Sequence, residues 1–130
     1  MNSTLETVSS WMKKADNDFI AARQILLLED APTDTVCFHA QQVVEKAMKA
    51  LLTHRGLEIP KTHKLLILLE LLSDVDFESY REACILLAEH AVEARYPGDY
   101  IEPEREEAEE SLRIALEIFS LIKSKLEAEA

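Results

Sequence analysis

Apolar residues recur along the chain at steps of three and four, which is the period of an amphipathic α-helix. The pattern predicts helices over about 5–28, 34–54, 63–72, 77–94 and 103–126. Proline, glycine and short polar runs lie at the joints between them, and no strand pattern competes. Because the joints are short, the sequence predicts a single all-α domain over 1–130. We expect an up-and-down bundle of four long helices plus one short helix, five helices in total.

Two of the predicted helices, the second and the last, carry wider apolar stripes than one seam of a bundle requires. The residues beside the main stripes are Val44, Met48, Leu52, Ile114, Ile118 and Leu121. Two interpretations stay open. Each helix is either buried on most of its sides, or it presents a second apolar face for homodimerisation.

The second predicted helix also has a polar edge. His39, Gln42, Lys46 and Lys49 are spaced by three and four residues, so their side chains share one face. Imidazole, amide and ammonium groups can all contact a base or a phosphate, and His63 at the start of the third predicted helix adds another imidazole. The competing interpretations are a solvated helix edge for the lysines and a helix–helix contact for His39.

A further group of candidate residues falls in the connection between the last two predicted helices. Arg95, Tyr96 and Asp99 lie there beside Pro97, which favours an extended backbone at Tyr96. An arginine with an aromatic neighbour can clamp a phosphate and stack on a base. The same residues could equally hold the loop against the bundle.

The charge balance narrows the choice of ligand and partner. A net charge of −11 argues against general nucleic-acid affinity, so RNA is disfavoured as a ligand. The window 39–64 is the exception, since it holds five lysines and arginines against two acids and three of the four histidines. No apolar run approaches the roughly 20 residues of a membrane span, and no signal peptide is visible, so we expect a cytoplasmic protein. Cys37 and Cys84 lie in apolar helical segments, which predicts free buried thiols. Neither has the close Cys or His spacing of a zinc site, and we expect no metal or cofactor.

Three segments together carry a resemblance to a known family. They are FHAQQVVEKAMKALL from Phe38, PKTHKL from Pro60 and ARYPGDY from Ala94. In order and spacing they resemble a prokaryotic HEPN domain, over nearly the whole chain. The resemblance implies an all-α bundle, frequent homodimers and a role in toxin–antitoxin or defence systems. It also implies a minimal nucleotidyltransferase as partner.

The chain departs from that family at one point. Ribonuclease members carry an arginine, four to six residues and then a histidine on a late helix. Here Arg55 and His63 enclose seven residues, and Arg81 and His90 enclose eight. The resemblance therefore implies the non-nuclease branch, a non-catalytic module that binds a nucleotide or a partner.

The candidate binding residues of such a module are His39, Gln42, Lys46, Lys49, His63, Arg95, Tyr96 and Asp99. Two alternatives stay open. One is a divergent metal-independent ribonuclease that uses Arg95 or Arg81 with His90 or His63. The other is a purely structural dimeric interaction protein.

Overall fold

The computed structural model describes residues 3–91 and 102–130, and these ranges contain six α-helices and no strand. They are α1 (Ser3–Leu26), α2 (Thr33–His54), α3 (Leu65–Leu72), α4 (Val75–Glu78), α5 (Arg81–His90) and α6 (Arg105–Ala128). The predicted all-α fold is confirmed, whereas the predicted number of five helices is wrong. No helix in the described part of the chain is long and apolar enough to cross a membrane.

The extra helix arises because the fourth predicted helix, over about 77–94, is interrupted. The backbone of Tyr80 has φ −102° and ψ 4°, which lies outside the α-helical region. Its N–H donates to the carbonyl of Phe77, three residues back, and this tight turn separates α4 from α5. The apolar stripe crosses the interruption, since Phe77 and Cys84 are both fully buried. Periodicity alone therefore could not reveal the break.

The last helix begins two residues later than the sequence predicts, at Arg105 instead of Pro103. The backbone N–H of Glu104 donates to the Glu107 carboxylate at 2.8 Å, in the manner of a capping box. The carbonyl of Pro103 accepts a hydrogen bond from the Thr33 hydroxyl at 2.6 Å. The starts of α2 and α6 are thus joined directly.

The central helix of the fold is α2, which packs against α1, α3, α5 and α6. The residues beside its main stripe, Val44, Met48 and Leu52, have no exposed surface, and Ile118 of α6 is equally buried. Apart from the half-buried Leu121, which packs against the core, the wide stripes are therefore accounted for by burial inside one protomer. They give no support to the homodimer, which stays a prediction.

At the end of α2 the chain turns through Gly56, whose φ is +73°. The Gly56 N–H donates to the Thr53 carbonyl, and the Leu57 N–H donates to the Leu52 carbonyl. These two bonds form a Schellman motif, in which glycine adopts the left-handed conformation at little cost.

Beside this turn, Arg55 joins three segments through its guanidinium group. It donates to both carboxylate oxygens of Asp74, at 2.5 and 2.9 Å, and to both of Glu129, at 3.0 and 2.8 Å. Lys125 of α6 lies 3.0 Å from Asp74. These contacts hold the end of α2, the α3–α4 connection and the end of α6 together. Hydrogen bonds from Arg55 and Lys125 lower the pKa of Asp74 to about 2.

We expect Asp74→Asn to destabilise the protein by about 2 kcal/mol at pH 7, and by much less near pH 2. The pKa of Asp74 is lower in the folded than in the unfolded protein. Its contribution is therefore complete above the unfolded pKa, near 4, and is lost as the pH falls through about 2. Urea unfolding at several pH values, compared with wild type and with the exposed control Asp16→Asn, measures this. A difference from wild type that stays constant down to pH 2 would contradict the assignment.

Candidate functional site

The polar edge of α2 faces two buried carboxylates. The first is Asp18 of α1, which is only 9% exposed. His39 Nδ1 lies 2.8 Å from Asp18 Oδ1, and Lys46 Nζ lies 2.5 Å from Asp18 Oδ2. Both side chains are therefore turned towards α1, and both pair with the same carboxylate. The structure supports the interpretation of His39 as a helix–helix contact.

The position of Asp18 follows from the apolar pattern of α1. It lies three residues after Ala15 and four before Ala22, and both alanines are fully buried. Asp18 therefore belongs to the buried face of the helix. Asp18 is not among the residues predicted from the sequence. An acid in register with the alanine stripe was the signal that could have identified a partner for the polar edge of α2.

The second carboxylate is Glu45 of α2, which is 3% exposed. It accepts hydrogen bonds from Lys49 Nζ at 2.9 Å and from the amides of Gln41 and Gln42 at 3.2 and 3.3 Å. His63 Nδ1 lies 3.1 Å from Glu45 Oε2. Burial alone would raise the pKa of Glu45, but the bonds from Lys49 and His63 outweigh burial and lower it. Glu45 is thus an ionised carboxylate surrounded by donors.

Lys49 lies inside the protein. It is 8% exposed, its ammonium group pairs with Glu45, and the same group lies 5.5 Å from the centre of the Trp11 ring. A buried ammonium group needs such partners because its desolvation is costly. Lys49 is therefore a core residue, paired with Glu45 and not available to a ligand.

Gln42 and His63 reach an open groove of about 320 Å³. Its walls come from α2, α5 and the segment before α3, and consist of Phe38, Gln41, Gln42, His63, Ala88 and Ala91. The His63 side chain is 84% exposed although its Nδ1 faces Glu45, so the opposite nitrogen, Nε2, lies on the exposed side. An aromatic ring, an amide and an imidazole beside one groove can together hold a flat, hydrogen-bonding ligand.

The predicted residues therefore divide into separate groups. Gln42 and His63 share the groove, His39 and Lys46 share Asp18, and Lys49 is buried. Phe38 and Gln41 belong to the groove but were not predicted. Since Phe38 is four residues before Gln42, helical spacing could have placed it on the same face. The predictions for Arg95, Tyr96 and Asp99 lie outside the described residues.

Two residues of the ribonuclease alternative, Arg81 and His90, are engaged separately. His90 Nε2 lies 3.0 Å from Glu107 of α6, and its buried Nδ1 has no hydrogen-bond partner within residues 3–91 and 102–130. Arg81 pairs with Glu70 and Glu78 on the surface. Arg81 and His90 therefore each have carboxylate partners of their own.

Both cysteines are free and buried, as predicted. Burial raises the pKa of the Cys84 thiol to about 11, so its reactive thiolate is scarce at neutral pH. Among the residues that the structure describes, no cluster of three or more His, Cys, Asp or Glu side chains could hold a metal ion.

The helical fold built around α2 can now be compared with known protein families. The model of the HEPN domain matches residues 8–125, so the chain belongs to the HEPN-domain family and the resemblance seen in the sequence is confirmed.

Two solved structures are similar to this chain. One is ST0689, an archaeal HEPN homologue, with 26% identity, a TM-score of 0.73, and coverage of 92% of this chain and 97% of that one. The other is TT1696 from Thermus thermophilus, with 32% identity, a TM-score of 0.78, and coverage of 91% and 97%. A search of curated proteins found no significant match.

Proposed function

We propose that this HEPN protein is a non-catalytic module that binds a nucleotide in the groove between α2 and α5. The observation that carries the proposal is the convergence of Phe38, Gln42 and His63 on that groove, beside the buried carboxylate of Glu45. Glu45 accepts a hydrogen bond from Gln42 and contacts His63, and Gln42 also donates to Gln41 Oε1 at 2.8 Å, so both polar side chains are held in place. Such fixed groups lose little conformational freedom when a ligand binds.

The described walls of the groove suit the base of a nucleotide better than its phosphates. Phe38 offers aromatic surface, and Gln42 and His63 offer hydrogen bonds to the edge of a base. Lys46 and Lys49, the two lysines of the polar edge of α2, are paired with Asp18 and Glu45. We therefore propose, on the sequence prediction alone, that Arg95 contacts the phosphate, and Tyr96 and Asp99 stay candidates of the same site.

Isothermal titration with ATP, other nucleotides and short RNA tests the proposal. We expect a nucleotide to bind, and Gln42→Ala and His63→Ala each to weaken binding about tenfold, the cost of one well-placed hydrogen bond. Lys46→Gln is the matched control on the same helix and should change affinity less than about twofold. No heat at high micromolar ligand would refute nucleotide binding.

We further propose that the protein acts with a minimal nucleotidyltransferase in a toxin–antitoxin or defence system, and that it forms a homodimer. Membership of the HEPN family is the support for both statements. A neighbouring gene with a Gly-Ser and paired-Asp nucleotidyltransferase signature would favour the partnership. Sedimentation of the purified protein tests the dimer.

A divergent ribonuclease is the second candidate function, and one observation favours it. The carboxylate of Glu45 holds His63 through Nδ1 and leaves Nε2 exposed, which is how a carboxylate orients a histidine for proton transfer. Incubation of purified protein with mixed RNA separates the two functions. Cleavage that is lost in His63→Ala would make the ribonuclease the better account.

A further inference from the structure

A second groove, between α3 and α5, has a volume of about 440 Å³ and a different chemical character. Its walls are mainly apolar and consist of His63, Lys64, Leu65, Leu66, Ile67, Cys84, Ile85, Ala88 and Glu89. It meets the first groove at His63 and Ala88. Apart from these two shared residues, its lining suits apolar side chains better than a nucleotide.

The helix on one side of this groove is unusually apolar. Every residue of α3 is leucine or isoleucine except Glu70. Leu65, Leu68, Leu69 and Leu72 are buried, whereas Ile67 and Leu71 on the outer face remain 40% and 45% exposed. A helix that is apolar all round is normally buried on all sides. Within the described residues, α3 is therefore only half covered.

The apolar surface continues across the groove to α5. Ile85 of α5 is 40% exposed and lines the same groove as Ile67. Contiguous exposed apolar surface with a polar rim is typical of a protein-interaction site. The groove thus offers two isoleucine walls between which apolar side chains of another helix could pack.

The two helices beside the groove are acidic. Exposed Glu70, Glu82 and Glu89 lie on α3 and α5, which contain no lysine and a single arginine, Arg81, that already pairs with Glu70 and Glu78. Lys64, directly before α3, also lines the groove, and the three acids still outnumber Arg81 and Lys64. Two copies of this chain that met through this surface would bring like charges together. A cationic partner would instead meet complementary charge.

We propose that the groove between α3 and α5 docks an amphipathic helix of a partner protein, with apolar residues between Ile67 and Ile85 and basic residues facing Glu82 and Glu89. This inference rests on the partner-binding half of the proposed function and is independent of nucleotide binding. Its failure would leave the titration with nucleotides unaffected.

A labelled amphipathic helical peptide of leucine and lysine, about 15 residues long, serves as the probe in fluorescence anisotropy. We expect it to bind at micromolar concentration, and a matched peptide with glutamate in place of lysine to bind at least about tenfold more weakly. Ile67→Ser and Ile85→Ser should each weaken binding about tenfold. Leu116→Ser, at a residue of α6 that is 45% exposed, is the control and should have little effect.

Four results would overturn the proposal. The first is no binding of the lysine peptide, and the second is equal binding of the glutamate peptide. The third is an equal loss of affinity in Ile85→Ser and Leu116→Ser. A dimer that dissociates in Ile67→Ser and Ile85→Ser would show that a second copy is the occupant, which also contradicts it. Unfolding curves confirm that each variant is folded.

Discussion

Replacement of Glu45 by glutamine is expected to destabilise the protein by about 3–5 kcal/mol, the usual cost of breaking a buried ion pair. The glutamine keeps the size of the side chain but removes its charge. Lys49, only 8% exposed, would then be a buried cation without a counter-ion, and His63 would lose the acceptor that orients it. Urea unfolding followed by circular dichroism measures the change.

A second substitution separates the charge effect from a packing effect. Because Lys49→Met removes the stranded cation, the double variant Glu45→Gln/Lys49→Met should recover most of the loss. Glu110→Gln, which breaks the exposed pair with Arg113, should cost less than about 1 kcal/mol. If Glu45→Gln were as mild as Glu110→Gln, Glu45 would not be the centre of a buried network.

Phe77→Ala is expected to cost about 3–5 kcal/mol, as large-to-small changes of buried aromatic residues do. Phe77 has no exposed surface although it belongs to the four-residue helix α4, and the Lys125 ammonium lies 5.5 Å from its ring centre. The substitution would leave a cavity where α4 anchors the chain between α3 and α5.

The same helix supplies the control, since Val75 lies two residues before Phe77 and is 85% exposed. Val75→Ala should change the free energy of unfolding by less than about 0.5 kcal/mol. Thermal or urea unfolding of both variants is the measurement. Equal effects of the two substitutions would show that α4 is not anchored through Phe77.

The helical periodicity of the sequence predicts most of the fold. Every long helix buries one face, so its apolar residues must recur with the period of the helix. The prediction fails at Tyr80, where the backbone turns while the apolar stripe continues from Phe77 to Cys84. A short turn of this kind keeps the side chains nearly in register, so the pattern cannot separate two short helices from one long helix. The division into α4 and α5 is therefore visible only in the structure.

The candidate site was predictable only in part, because a sequence pattern shows which residues share a face but not what that face meets. Gln42 and His63 do lie beside one groove. Lys46 belongs to the same predicted edge, yet a carboxylate from α1 neutralises it. That contact depends on how α1 and α2 cross, which spacing within α2 cannot specify. Because the buried Asp18 pairs with His39 and Lys46, the groove at Gln42 and His63 is favoured over the cationic edge as the candidate site.

The ligand site is tested most directly by nuclear magnetic resonance of the isotope-labelled protein during titration with ATP. We expect the largest amide shifts at Phe38, Gln42 and His63, with Asp18 and Lys46 nearly unchanged, since the groove is open and the Asp18 ion pairs are already formed. Shifts centred on Asp18 and Lys46, with Gln42 and His63 unchanged, would contradict the account. They would show that the ligand displaces Asp18 and binds the polar edge of α2.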